Sequence, residues 1–273
     1  MSDITAPRGT GRRVAGAVGR GLGRAAVSIV AILVLWIAGL RAFDIPAFVG
    51  KTPLDVVDYF FTLPKAAENR SEALHLLGAT LADSVIGFVA GLGVALLVAA
   101  LFLLFRPLES TLLPIVLLLQ SVPLIAIAPI LVLIFGRSTA TVAVMGGLVV
   151  LFPALVNITF GLRSAPRTAI DLVTVYGATR WQSLRKVALP SALPALFAAI
   201  RISAPGAITG ALIAEWLATG KGIGYAIVAA VGSSQIAAVW ALAVLITLAT
   251  LLIYQVLGIV ESAVLARMGF NQA

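Results

Sequence analysis

Side chains able to do chemistry are scarce in this chain and unevenly placed. There is one histidine, His75, and no cysteine, so multi-histidine metal sites, zinc–thiolate sites and thiol nucleophiles are excluded. No nucleophile–base pair or carboxylate dyad is legible, and the G-x-x-x-x-G-K-[ST] loop that cradles phosphate is absent. Gly220-Lys221-Gly222-Ile223-Gly224 is glycine-rich without that pattern, and reads as a tight turn or a surface that meets a partner. Asp83, Arg201 and Glu215 fall inside or at the end of apolar runs. Charge is costly in lipid, so these three are expected to face a bundle interior, a cavity or an interface. Asp83 and Arg201 are expected to pair, with lining of a solute pathway as the alternative, and Glu215 beside Trp216 is expected near the end of its span. The remaining cluster is cationic: Arg163, Arg167, Arg180, Arg185 and Lys186 face a single acid, Asp171.

The elements that must position these groups follow from composition. Of 273 residues 61% are hydrophobic and 11% charged, whereas soluble chains are about 45–50% apolar and about 25% charged. Too few charges remain to cover a water-facing surface, and an integral membrane protein is expected. The apolar stretches are continuous and lack the period-2 alternation of barrel strands, which points to an all-α, polytopic helical bundle. Crossing about 30 Å of hydrocarbon takes about 20 apolar residues. Six spans are expected, over residues 25–43, 79–105, 108–135, 139–162, 190–219 and 235–257. Five are expected if the segment around Pro114, Pro123 and Pro129 is re-entrant. Gly87, Gly91 and Gly93 on the second span read as close-packing positions, and His75 as a surface residue.

The first span follows a long basic tail bearing Arg8, Arg12, Arg13, Arg20 and Arg24 and lacks a persuasive cleavage site, so it reads as an uncleaved helix rather than a signal peptide. Cations favour the cytoplasmic side. The N-terminal tail, the loop at 163–189 and the C-terminus are therefore expected to be cytoplasmic, and the net charge of +8 reflects topology rather than nucleic-acid binding.

The loop at 163–189 is too long for a mere connector. Pro166 is placed to open a short helix carrying Ile170, Val173 and Val175 toward a neighbour, and Gly177 to end it in a left-handed conformation. Thr179 is a candidate N-cap for a second helix that would present Trp181, Leu184, Val187 and Ala188 on one side, before Leu189 and Pro190 end the loop. By composition this pair either lies on anionic lipid or docks a cytoplasmic partner, an apolar ridge entering a groove while cations steer it.

Gly177-Ala178-Thr179-Arg180-Trp181-Gln182, with Arg185-Lys186-Val187-Ala188-Leu189-Pro190 and Ala192-Leu193-Pro194, resembles the "EAA" loop of binding-protein-dependent ABC transporter permeases. Counting back from Gly177 puts Asp171-Leu172-Val173 on the Glu-Ala-Ala positions, with the acid kept and both alanines enlarged. Two further segments resemble permeases for sulfonates, taurine, nitrate and related solutes. They are Gln120 through Pro129 with Phe135-Gly136, and Ala214 through Gly220 with Gly222-Ile223-Gly224-Tyr225. The similarity covers about residues 79–267.

The resemblance implies import across the cytoplasmic membrane of a prokaryote by alternating access. It implies ABC ATPase subunits docking on Asp171, Leu172, Val173, Tyr176, Gly177, Ala178, Thr179, Arg180, Trp181, Leu189 and Pro190. A second permease subunit, itself or a similar chain, would complete the pathway, and an extracytoplasmic solute-binding protein would deliver the solute. The chain is then no enzyme and holds no cofactor of its own, ATP and magnesium belonging to the ATPase. Its organisation is a basic tail at 1–24, a first helix and outer loop at 25–72, a permease core at 73–267 and a short tail at 268–273. Within the family, permeases for thiamine precursors or aromatic solutes are the nearest alternative. An ion-coupled secondary transporter would need internal repeats, and an intramembrane enzyme a catalytic constellation; neither is legible.

Overall fold

Small residues set the architecture. In the computed structural model, which describes residues 27–269, helix α3 (Ala66–Leu104) buries Ala73, Thr80, Ser84, Gly87, Gly91, Ala95, Ala99 and Phe102. Steps of three, four and seven residues keep these on one helical face. That face packs on α6 (Thr139–Arg163), and both pack on α10 (Leu193–Ala214). The three backbones meet at Gly146. A Cβ built on Gly87 or on Gly210 would stand 2.7 Å from the Gly146 Cα, so no side chain fits at this crossing. Gly93, by contrast, has open space around its Cβ direction and does not take part in close packing. Toward one end of this trio the core fills with Phe102, Leu155, Ile158 and Leu162.

All regular elements among the described residues are helices. Four of them are long and apolar enough to cross a membrane: α3, α6, the stretch Leu193–Thr219 containing α10, and α12 (Ile236–Arg267). The expected third span at 108–135 is not one helix. It is α4 (Arg106–Gln120) and α5 (Leu124–Phe135), bent by 102°. Pro123 is extended at φ −62°, ψ 121° and brings no N–H to the ladder, so the helix stops at Gln120 and restarts after it. Pro114 and Pro129 lie inside their helices without a comparable break. The described part of helix α1 (Val27–Ala42), which starts at the first described residue, is apolar and by itself shorter than a full crossing. Six continuous spans are therefore not found among the described residues, which give four, or five with the bent pair as one. The basic tail at 1–24, the start of the first span and residues 270–273 lie outside the described residues.

Two boundaries also move. The second span begins at Ala66 rather than 79, inside the expected outer loop, where α2 (Pro53–Phe61) also forms. Thr52 caps α2 in a reciprocal box: its hydroxyl accepts the Asp55 N–H at 3.3 Å while Asp55 Oδ2 accepts the Thr52 N–H at 2.7 Å. Helix α12 continues to Arg267, well beyond the expected 257. One end of the bundle carries the loop at 163–189 with the C-terminal end of α3. The other carries α2, the turn at Gly220–Gly224 and the start of α12.

Candidate functional site

The loop at 163–189 folds as two capped helices. Helix α7 (Arg167–Val175) starts after Pro166 and ends at Tyr176. Gly177 adopts φ +81°. Its N–H donates to the Thr174 carbonyl and that of Ala178 to the Val173 carbonyl, both at 2.9 Å. This paired closure needs a left-handed residue at Gly177. Two residues later Thr179 opens α8 (Arg180–Ser183). Its N–H donates to Gln182 Oε1 at 2.8 Å, and its hydroxyl accepts the Gln182 N–H at 3.3 Å. The Gly177 end of the turn is thus closed by backbone hydrogen bonds and the Thr179 end by a side-chain capping box.

Beyond α8 the helix widens into a π turn over Leu184–Ala188, followed by α9 (Leu189–Ser191). The inserted residue offsets the faces on either side of the turn. Leu184 and Ala188 enter the core beside Leu162 and Ala165, and Val187 and Ile170 pack against them. Contrary to the expected amphipathic pattern, Trp181 does not share that side; it is 58% exposed. Val175 likewise points outward instead of joining Ile170 and Val173, because the helix ends before its side could close on a neighbour. Leu172, Val175, Tyr176 and Trp181 together form an exposed apolar ridge, with Tyr176 and Val175 each 85% exposed. Asp171, Arg167, Arg185 and Lys186 are exposed around it.

The ridge stands on a fixed seat. Arg180 Nη1 donates to the Leu104 carbonyl at 3.2 Å, tying α8 to the last turn of α3. The buried carboxylate of Glu109, on α4, pairs with Arg163 at the end of α6. Leu189 is partly exposed, and Pro190 continues the helix into α9 rather than ending it. The arrangement can present a rigid apolar knob, rimmed by cations, to a groove on another protein.

The intramembrane charges pair differently from expectation. Asp83 faces Lys221, with Nζ 3.5 Å from Oδ1, and not Arg201. Arg201 instead reaches Glu261 on α12 at 3.4 Å and lies 4.3 Å over the Tyr254 ring. Gly258 leaves room for it, since a Cβ there would stand 3.1 Å from the Arg201 Cζ. Asp83 and Arg201 sit on helices whose facing surfaces bring each a nearer partner. Glu215 is fully buried, where α10 widens into a π turn over Glu215–Thr219. Its Oε2 accepts the Gly224 N–H at 2.8 Å and the Thr80 hydroxyl at 3.1 Å. Thr80 in turn accepts the Ile223 N–H at 2.9 Å.

These contacts explain the glycine-rich turn. Helix α11 (Gly222–Gly232) begins without a local side-chain cap. Glu215 and Thr80 satisfy two of its free N–H groups from outside. Gly220 ends the π turn at φ +68°, and Gly222 at φ +75° lies directly against the Glu215 carboxylate, where a Cβ has no space. Thr80, Glu109 and Glu261, and the pairing of Lys221 with Asp83, are not legible in the sequence. Glu261 lay outside the expected last span, and nothing in spacing links Thr80 to residues so far along the chain.

Comparison with known proteins adds an independent line. Residues 87–268 match the family described as the binding-protein-dependent transport system inner membrane component. A riboflavin transport system permease protein of Chloroflexus aurantiacus is 33% identical over 86% of this chain and 86% of its own. A formylaminopyrimidine transport permease protein of Halalkalibacterium halodurans is 32% identical over 71% of this chain and 75% of its own. A permease protein of Bacillus subtilis named for aliphatic sulfonates is 29% identical over 75% and 72%.

Proposed function

The chain belongs to the family of binding-protein-dependent transport system inner membrane components, and from that premise we propose that its loop at 163–189 is the seat of an ATPase and that the solute it passes is a small organic or inorganic anion or a heteroaromatic compound. It is a multi-pass membrane permease of an ABC importer, a transport protein and not an enzyme. Such a permease works with an ATPase and a solute-binding protein.

The observation that carries the docking role is the ridge of Leu172, Val175, Tyr176 and Trp181. Large apolar and aromatic side chains are exposed there on helices whose turn is closed at both ends. A mobile loop would lose entropy on binding that this one has already given up. Asp171-Leu172-Val173 stands at the Glu-Ala-Ala positions, and the enlarged Leu172 adds to the ridge. The cationic rim supports placing this end, and both termini, on the cytoplasmic side. ATP and magnesium belong to the ATPase in this reading, and no cofactor to this chain. A second permease subunit, a copy of this chain or a similar one, completes the pathway.

For the solute, the sulfonate-type reading rests on the segments around Gln120–Pro129 and Ala214–Tyr225 and on the Bacillus subtilis relative. The heteroaromatic reading is supported by the two relatives with the higher identities, 33% and 32%. Equilibrium binding of riboflavin, a formylaminopyrimidine, taurine and nitrate to the cognate solute-binding protein separates them. For docking, Gly177→Val forces a branched side chain to φ +81° and breaks the turn. Loss of ATPase co-purification, with the permease still inserted in the membrane, is the expected result. Retention of the ATPase by this variant and by a Tyr176→Ala, Trp181→Ala double variant would sink the docking assignment.

A further inference from the structure

An apolar cavity of about 470 Å³ opens between α1, α2, α3 and α12, away from the docking loop and from the Glu215 cluster. Leu33, Trp36, Val57, Phe61, Leu248 and Arg70 are among the residues that line it. We propose that this cavity binds one acyl chain of an anionic phospholipid, with the lipid phosphate held by Arg70.

Two observations converge on that ligand. The wall of the cavity is apolar, with Trp36 and Arg70 bordering it through their carbon atoms, so the body of the ligand must be hydrocarbon. Arg70 makes no ion pair among the described residues. Its guanidinium lies 5.6 Å over the Phe61 ring and one nitrogen donates to the Phe60 carbonyl, which leaves further donors and the whole charge for an anion.

The level in the membrane fits as well. Asn69, Arg70, Glu72 and His75 mark the polar first turns of α3, after which the helix is apolar. Trp36 stacks on Trp240, ring centroids 5.3 Å apart, and tryptophans concentrate at the headgroup level. Arg70 therefore stands where the hydrocarbon ends, with its stem over apolar surface and its charge toward the phosphates. A soluble peptide would need polar partners that the lining does not offer.

The test uses the intact transporter, permease with ATPase, extracted into detergent and examined by native mass spectrometry after exchange into phosphatidylglycerol or phosphatidylcholine. Leu248→Trp fills the mouth of the cavity. Leu252→Trp is a control on the same helix, exposed but outside the lining. Arg70→Gln removes the charge, and Arg70→Lys keeps it. Phosphatidylglycerol is expected to stay bound to the unaltered protein, Leu252→Trp and Arg70→Lys. Its occupancy should fall about tenfold or more in Leu248→Trp and Arg70→Gln. Equal retention of the two lipids by the unaltered protein, or undiminished phosphatidylglycerol in Leu248→Trp, overturns the proposal. So does a change of subunit stoichiometry in Leu248→Trp without lipid loss, which would mark the cavity as a protein contact.

Discussion

The Thr80 hydroxyl donates to Glu215 Oε2 across 3.1 Å and joins helices that the chain separates by 135 residues. The same hydroxyl accepts the Ile223 N–H, so one small side chain holds α3, the end of α10 and the start of α11 together. Thr80→Val keeps the shape and removes both contacts, leaving the buried Ile223 N–H unmatched and Glu215 Oε2 with the Gly224 N–H alone. That costs about 1–3 kcal/mol and should appear as a lower thermal unfolding midpoint in detergent. Thr80→Ser should restore most of the loss. Equal stability of the Val and unaltered proteins would show that the junction is held by packing alone.

At the crossing of α3, α6 and α10, Gly146→Ala places a methyl group 2.9 Å from the Gly87 Cα. The helices must separate, and the expected result is a sharply reduced yield of folded protein in the membrane fraction. Gly93→Ala, on α3, meets nothing within 4 Å and should leave yield unchanged, or raise it slightly through better helix propensity.

Tyr176→Ala and Trp181→Ala each remove a large exposed side chain from the ridge without touching the core. If they are the anchors of the ATPase contact, each should weaken it by about 2 kcal/mol, roughly 30-fold in Kd. Titration of labelled ATPase against permease in nanodiscs measures this. Val187→Ala, half-buried on the opposite side, should affect thermal stability more than ATPase affinity.

Helix α2 carries a pH-dependent cap. The Thr52 hydroxyl and backbone N–H hold the Asp55 carboxyl below its ordinary value of 3.8. A carboxyl lowered in this way contributes stability above that value, and the contribution fades as pH falls through the still lower folded-state value. The protection of α2 amides, corrected for the intrinsic exchange rate at each pH, should therefore be flat at neutral pH and fall below about pH 4. Thr52→Ala should raise exchange there at all pH values, at a cost of about 1 kcal/mol to the helix.

Much of the helical framework was legible because apolar length and glycine spacing act locally. Pro166, Gly177 and Thr179 mark the ends of the loop helices α7 and α8 correctly, since caps are made by neighbours within a few residues. What escaped was set by a single inserted residue or by distant partners. Trp181 is exposed while Leu184, three residues on, is buried, and the π turn at Leu184–Ala188 shifts the residues after it away from a regular 3.6-residue repeat. Pro123 interrupts a run whose hydropathy continues across it. Asp83 and Arg201 were read as a pair because they are opposite charges in lipid, but the choice of Lys221 and Glu261 depends on how α10, α11 and α12 pack against them.

Helix α3 runs unbroken for 39 residues, which makes it a rod about 58 Å long. Near one end its Leu104 carbonyl is gripped by Arg180, and part-way toward the other Thr80 and Asp83 hold Glu215 and Lys221. A tilt of only about 5° displaces the far tip of such a rod by about 5 Å. With no kink to absorb the rotation, a small angular change at the Leu104 end is delivered at the opposite face as a translation wider than a water molecule.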